Sequence, residues 1–128
     1  MSQPIQKTKF QTVIVSRPGI MRESLRAGLA GASQLEIIKS VGDGLSALDA
    51  IREHQPNLVV IDSNLLEDEI QTLLRHVKQT WPAVCCLVLT VTVRQEKWAT
   101  ANGADAVWPR HHSLRDLNEL LTTICPGQ

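Results

Sequence analysis

NLVVIDSN, residues 57–64, decides how this chain is read. Four apolar residues, three of them β-branched, run straight into Asp62 and then into the small polar pair Ser63 and Asn64. A continuous Val/Ile run of this kind reads as a strand buried on both faces, as in a parallel sheet. Ending it with an acid sets a charge at the mouth of the sheet, where an unpaired carboxylate is costly. The stretch therefore predicts a central strand, and it requires a partner for Asp62.

Working outward, apolar runs and helical periods alternate along the whole chain. TVIVS (12–16) predicts a first strand, broken by Pro18-Gly19, and a helix follows with Met21, Leu25 and Leu29 on one face, ending near Gly31. LEIIKS (35–40) predicts a second, more amphipathic strand. After the turn Gly42-Asp43-Gly44, a helix places Leu45, Leu48 and Ile51 inward and stops before Pro56. LVVI (58–61) is the third strand. The next helix has the clearest period, with Leu66, Ile70, Leu73, Leu74 and Val77, closed by Trp81-Pro82. AVCCLVLT (83–90) predicts a fourth strand, a shorter helical stretch near Gln95–Asn102 ends at Gly103, and DAVW (105–108) predicts a fifth strand. Leu114, Leu117, Leu120, Leu121 and Ile124 mark a last helix, stopped by Pro126-Gly127.

This is a (βα)5 chain, an α/β fold with a doubly wound five-stranded parallel sheet. Residues 1–128 are expected to form a single domain, with its core at about 10–125 and a flexible tail at 1–10. In such sheets ligands bind outside the carboxyl ends of the strands, at a topological switch point. Asp62 ends the third strand, at that edge.

Composition narrows the function. Formal charge is zero, so no basic field points to direct nucleic-acid binding. No apolar run approaches the roughly 20 residues that span a bilayer, and MSQPIQKTK is no signal peptide. A cytoplasmic protein with no membrane contact is expected. Cys85 and Cys86 are adjacent in a strand, so they point to opposite faces and suit no shared bridge or metal. They read as reduced core residues, with a redox pair as the alternative.

VSRPGIM (15–21) lacks both a dinucleotide fingerprint and a P-loop lysine. His111-His112 reads as a solvated loop pair, with a metal site as the alternative. Glu67-Asp68-Glu69 opens a helix, where acids complement the dipole. No nucleophile–base pairing is visible, so the chain does not read as an enzyme.

Taken together, the strand ends say more. The first ends Ser16-Arg17, the third at Asp62, the fourth at Thr90, and the fifth runs on into Arg110. VSRPGIMRESLRAGL, NLVVID, CLVLT and GADAVWPR fall in the order and spacing of the receiver domain of two-component response regulators. The chain resembles that CheY-like, phosphorelay signal-transduction family over about residues 10 to 125, and within it the NarL/FixJ group. The resemblance puts the phosphoacceptor position at Asp62, the switch hydroxyl at Thr90 and the phosphate-contacting lysine position at Arg110. The acid pair that holds Mg²⁺ in the family falls on Ser16 and Arg17. The switch aromatic falls on Val107, and Leu65-Leu66 stands where the family has Met-Pro. The fourth helix is expected to be altered, because the stretch from Thr90 to Gly103 is about two residues short.

Charge at these positions is the departure that matters. A standard pocket of this family sets three carboxylates against one lysine, which suits a hard cation that wants oxygen ligands. Here one carboxylate faces two arginines. No cofactor is expected, Mg²⁺ binding being lost or weak, and Arg17 is expected to pair with Asp62 with Arg110 on the other side. The reading is a pseudo-receiver that works through protein contacts. The resemblance implies a sensor kinase or effector domain as partner, and a possible homodimer through helix 4, strand 5 and helix 5. Trp98 and Trp108 fall there, either as core residues or as partner anchors. The alternatives are a working phosphoacceptor with an unusual metal arrangement through Glu67 or Asp68, and a small-anion site at the net-positive edge. Whether the chain stands alone or is an N-terminal piece is left open.

Overall fold

The computed structural model describes residues 10–31, 34–110 and 117–124, without the side chains of 118, 121, 122 and 124. The elements run β1 (Phe10–Val15), α1 (Ile20–Ala30), β2 (Leu35–Val41), α2 (Gly44–His54) and β3 (Leu58–Asp62). They continue with α3 (Glu67–Thr80), β4 (Cys85–Thr90), α4 (Val93–Ala101), β5 (Ala106–Pro109) and α5 (Leu117–Ile124). All five strands pair in parallel in the order β2-β1-β3-β4-β5. The chain reverses direction across the sheet between β1 and β3, which makes the carboxyl end of β3 the switch point.

Strand alternation divides the core into two layers. Val13, Val15, Val59, Ile61, Cys86 and Val88 pack with α2, α3 and Ala99 of α4 on one face. Ile14, Leu58, Val60, Cys85, Leu87 and Leu89 pack with Leu25 and Leu29 of α1 and Leu117 of α5 on the other. Every residue of β3 and β4 is buried, as their unbroken apolar sequence requires.

Several sequence expectations need correction. Phe10 is buried and opens β1, so the flexible tail does not extend through residue 10; residues 1–9 lie outside the described residues, as does His111-His112. Leu45 is 78% exposed although it was placed inward. Ile51 is buried and Leu48 packs partly buried against the core, as expected, but Ala47 and Ala50 complete the inner face of α2, and a residue two positions from Ala47 faces away from it. Alanine is weakly apolar, so the leucine period does not mark this face. Leu66 is 64% exposed for a different reason: it is the extended residue capping α3, so the helical period does not reach it. Met21, in the first turn of α1, is half exposed. Cys85 is disulfide-bonded rather than reduced, whereas Cys86 is free. Alternation does hold the two sulfurs in opposite layers, as expected. That argument excluded a bridge between neighbours and had no bearing on a bridge from Cys85 to another residue. Burial pushes the Cys86 thiol up to about 12, which disfavours the thiolate form.

The amino edge of the sheet is tied by one carboxylate. Asp105 Oδ2 accepts from Lys78 Nζ and from the Cys86 backbone N–H, both at 2.8 Å, and Lys78 also donates to the Val84 carbonyl at 3.0 Å. This joins α3, β4 and the start of β5. Replacing Asp105 with Ala should lower the unfolding free energy by about 2 kcal/mol, chiefly because the Cys86 N–H loses its acceptor. The partly exposed ion pair adds little. Urea denaturation checks this, with an unchanged m-value expected.

Candidate functional site

The site is built at the carboxyl edge by residues that leave four strands. Asp62 is the last residue of β3, in register with Leu89, and is fully buried. Ser16, just past the end of β1, is also fully buried, and its Oγ donates to Asp62 Oδ2 at 3.0 Å. Arg110 follows β5, and its backbone N–H donates to the Thr90 carbonyl at 2.8 Å, which fixes where its side chain starts. From there Arg110 Nη1 reaches Asp62 Oδ1 at 2.5 Å. The arginine side chain is 20% exposed and the aspartate side chain 1%. The Asn64 N–H adds a longer bond to the same Oδ1, at 3.4 Å.

The partner that the sequence required for Asp62 is therefore Arg110, not Arg17. Arg17 is exposed and, among the described residues, makes no ion pair with Asp62; its backbone N–H donates to Asn64 Oδ1 at 3.3 Å. The reason is strand alternation carried one residue past the ladder. Ser16 turns in toward Asp62, so its neighbour turns out.

Two residues of the network were not recognised in the sequence. Asn64 Nδ2 donates to Ser16 Oγ at 3.2 Å, so Asn64 links the ends of β1 and β3 through both groups of its amide. Its side-chain partners lie 47 and 48 residues away in the chain, and no local spacing marks them. Arg22 of α1 donates from Nη1 to the Ser16 carbonyl at 3.3 Å, and nothing in its helical spacing marks it.

Thr90 is fully buried, and its Oγ1 has no hydrogen-bond partner among the described residues. Val107 packs half-buried against the layer of α2 and α3. Trp98 packs against that same layer and Trp108 against the opposite one, so both serve as half-buried core residues. Glu67 pairs with Arg94 at the start of α4 rather than turning toward Asp62. Helix α4 is nine residues long.

A hard divalent cation needs several oxygen ligands. Among the described residues it is the Asp62 carboxylate that stands at the acceptor position, and both of its oxygens already accept protein hydrogen bonds. No group of three or more His, Cys, Asp or Glu that could hold a metal occurs among the described residues. At Asp62 the described carboxylates are fewer than the oxygen ligands such a cation takes. No described helix is long and apolar enough to cross a membrane.

No family model matches the chain. It is 33% identical over 108 residues to YhcZ, a transcriptional regulatory protein of Bacillus subtilis, covering 84% of this chain and 49% of that protein. It is 25% identical over 91 residues to the transcriptional regulatory protein DegU of Brevibacillus brevis, covering 71% of this chain and 39% of that one. The chain thus spans half or less of the length of these curated relatives. Among solved structures it superposes on the signal receiver domain of the response regulator NarL from Mycobacterium tuberculosis. The TM-score is 0.79 at 15% identity, over 94% of this chain and 99% of that one. Five parallel strands in this order, the acid at the end of β3 and these likenesses agree: the chain has the fold of a response-regulator receiver domain.

Proposed function

We propose that this domain is a receiver of two-component signal transduction that works by phosphorylation-independent protein contacts. One observation carries the reading: the acceptor-position carboxylate is held on both oxygens, by Arg110 on Oδ1 and by Ser16 on Oδ2. Phosphoryl transfer to an aspartate depends on a cation to neutralise developing charge. With Ser16 and Arg17 at the acid-pair positions and Arg110 on Asp62, the edge supplies fixed positive charge but too few oxygen ligands for that cation. Arg110 takes the place of an exchangeable metal, and a covalent guanidinium does not leave. The domain is accordingly not an enzyme, and its output passes through a sensor kinase or effector domain that recognises one fixed state.

A second reading, a working phosphoacceptor, is favoured by Thr90, whose buried hydroxyl has no partner among the described residues and stands at the switch position. One pair of measurements separates the two. Acetyl phosphate with Mg²⁺ should leave the intact mass unchanged, and Mg²⁺ up to the low millimolar range should leave tryptophan emission unchanged. Trp108 is a suitable reporter because it lines a small cavity with Arg110. A phosphoryl adduct on Asp62 sinks the proposal.

A further inference from the structure

All the large apolar side chains that are strongly exposed among the described residues stand at helix starts: Ile20 and Met21, Leu45, Leu66, and Val91 and Val93. In this topology helix starts lie on the same edge as Asp62. Scattered exposed leucines mean little, but a shared concavity is informative. Leu45 and Leu66 share one. Together with Leu48 and Leu73 they line a groove of about 570 Å³ between the starts of α2 and α3, a volume within the usual range of ligand sites. Its lips, Leu45 and Leu66, are largely exposed, so the groove is open to a side chain presented by another molecule.

The lining also carries Asp43, Asp68 and Glu69, with no Lys, Arg or His. Two of these acids are pinned. Asp43 caps α2, accepting from the Ser46 N–H at 2.7 Å and from Ser46 Oγ at 3.0 Å; these bonds hold its carboxyl below the usual range. Glu69 Oε2 accepts from the Gly44 N–H at 2.7 Å, which staples α3 to the first turn of α2 and fixes the width of the groove. Asp68 is exposed and has no ion-pair partner among the described residues. The result is a preformed apolar slot with an acidic rim, and preformed sites bind without an ordering cost.

We propose that this groove docks a basic amphipathic segment of a partner protein, its apolar side chains entering between Leu45 and Leu66 and its Lys or Arg facing Asp68, Asp43 and Glu69. The inference rests on the reading of the domain as an interaction module, and it assigns the contact to the α2–α3 face rather than to the half-buried Trp98 and Trp108.

The test uses two short labelled helical peptides in the absence of any phosphodonor. One carries Leu at i, i+3/i+4 spacing flanked by Lys; the other has Glu at each Lys position. Fluorescence anisotropy should show the Lys peptide binding at least about tenfold more tightly, and ¹⁵N shifts should map to the starts of α2 and α3. L45K with L66K should lower that affinity at least about tenfold without moving the thermal midpoint, since both side chains are exposed. Asp68→Lys should weaken the Lys peptide and strengthen the Glu peptide. Equal binding of the two peptides, shifts mapping elsewhere, indifference to L45K/L66K, no binding at all, or a homodimer that occupies the groove would each overturn the assignment. These outcomes are separate from the adduct on Asp62: the groove can fail while Asp62 stays inert, and Asp62 can prove reactive while the groove still binds.

Discussion

Replacing Arg110 with Met should destabilise the domain by about 3 kcal/mol at neutral pH, and adding Asp62→Asn to that background should restore most of the loss. The asymmetry follows from burial. The Asp62 side chain is 1% exposed and that of Arg110 20%. Removing the guanidinium leaves a carboxylate at the mouth of the sheet with, among the described residues, the Ser16 hydroxyl and the longer bond from the Asn64 N–H. Removing the carboxylate instead leaves a guanidinium that already reaches water, so Asp62→Asn alone should cost only about 1 kcal/mol. A lysine at 110 should recover part of the loss, because it supplies a point charge without the planar fork. The measurement is a double-mutant cycle in urea, with a coupling energy of at least about 1 kcal/mol expected between positions 62 and 110. Coupling near zero would mean that the pair sits in contact without holding the edge together, and the case for Arg110 in place of a metal would go with it.

Ser16→Asp together with Arg17→Asp should give the domain a Mg²⁺-dependent stability that the native protein lacks. Ser16 Oγ lies 3.0 Å from Asp62 Oδ2, so a carboxylate at position 16 is built directly against the existing one. The variant places carboxylates at both acid-pair positions, the one at 16 directly against Asp62. Without metal the like charges should lower the thermal midpoint below that of the native domain. With Mg²⁺ it should rise, by about 2.7 kcal/mol of stability at a hundredfold excess over the dissociation constant. The native protein, melted in the same Mg²⁺ series, should show no change. A double variant indifferent to Mg²⁺ would show that more than the acid pair separates this edge from a metal-binding one.

How much of this was legible beforehand differs by element. The sheet was: β3 and β4 are apolar runs that end at Asp62 and Thr90, and Pro82 closes the helical pattern between them. The placement of Asp62 at the carboxyl edge followed, since parallel strands joined by short helices all end on one side. Helix faces were legible where leucines define them, as in α3, and misread in α2, where alanines do. Asn64 and Arg22 were not legible, because their bonds run to Ser16, 48 and 6 residues away in the chain, and no periodicity marks them.

What the amino-acid sequence determined by itself is the (βα)5 order, the two-layered core and a lone buried acid at the switch point, because hydrophobic period and turn residues are local signals. Only the tertiary structure decided that Arg110 and not Arg17 holds that acid, that Cys85 is bridged, and that Leu45 and Leu66 open onto solvent. Arg110 lies past its strand, Leu66 just before its helix and Leu45 in a first helical turn, where the periodic pattern does not fix the direction of a side chain. Cross-strand packing and neighbouring elements set that direction, and the chain's own repeat does not.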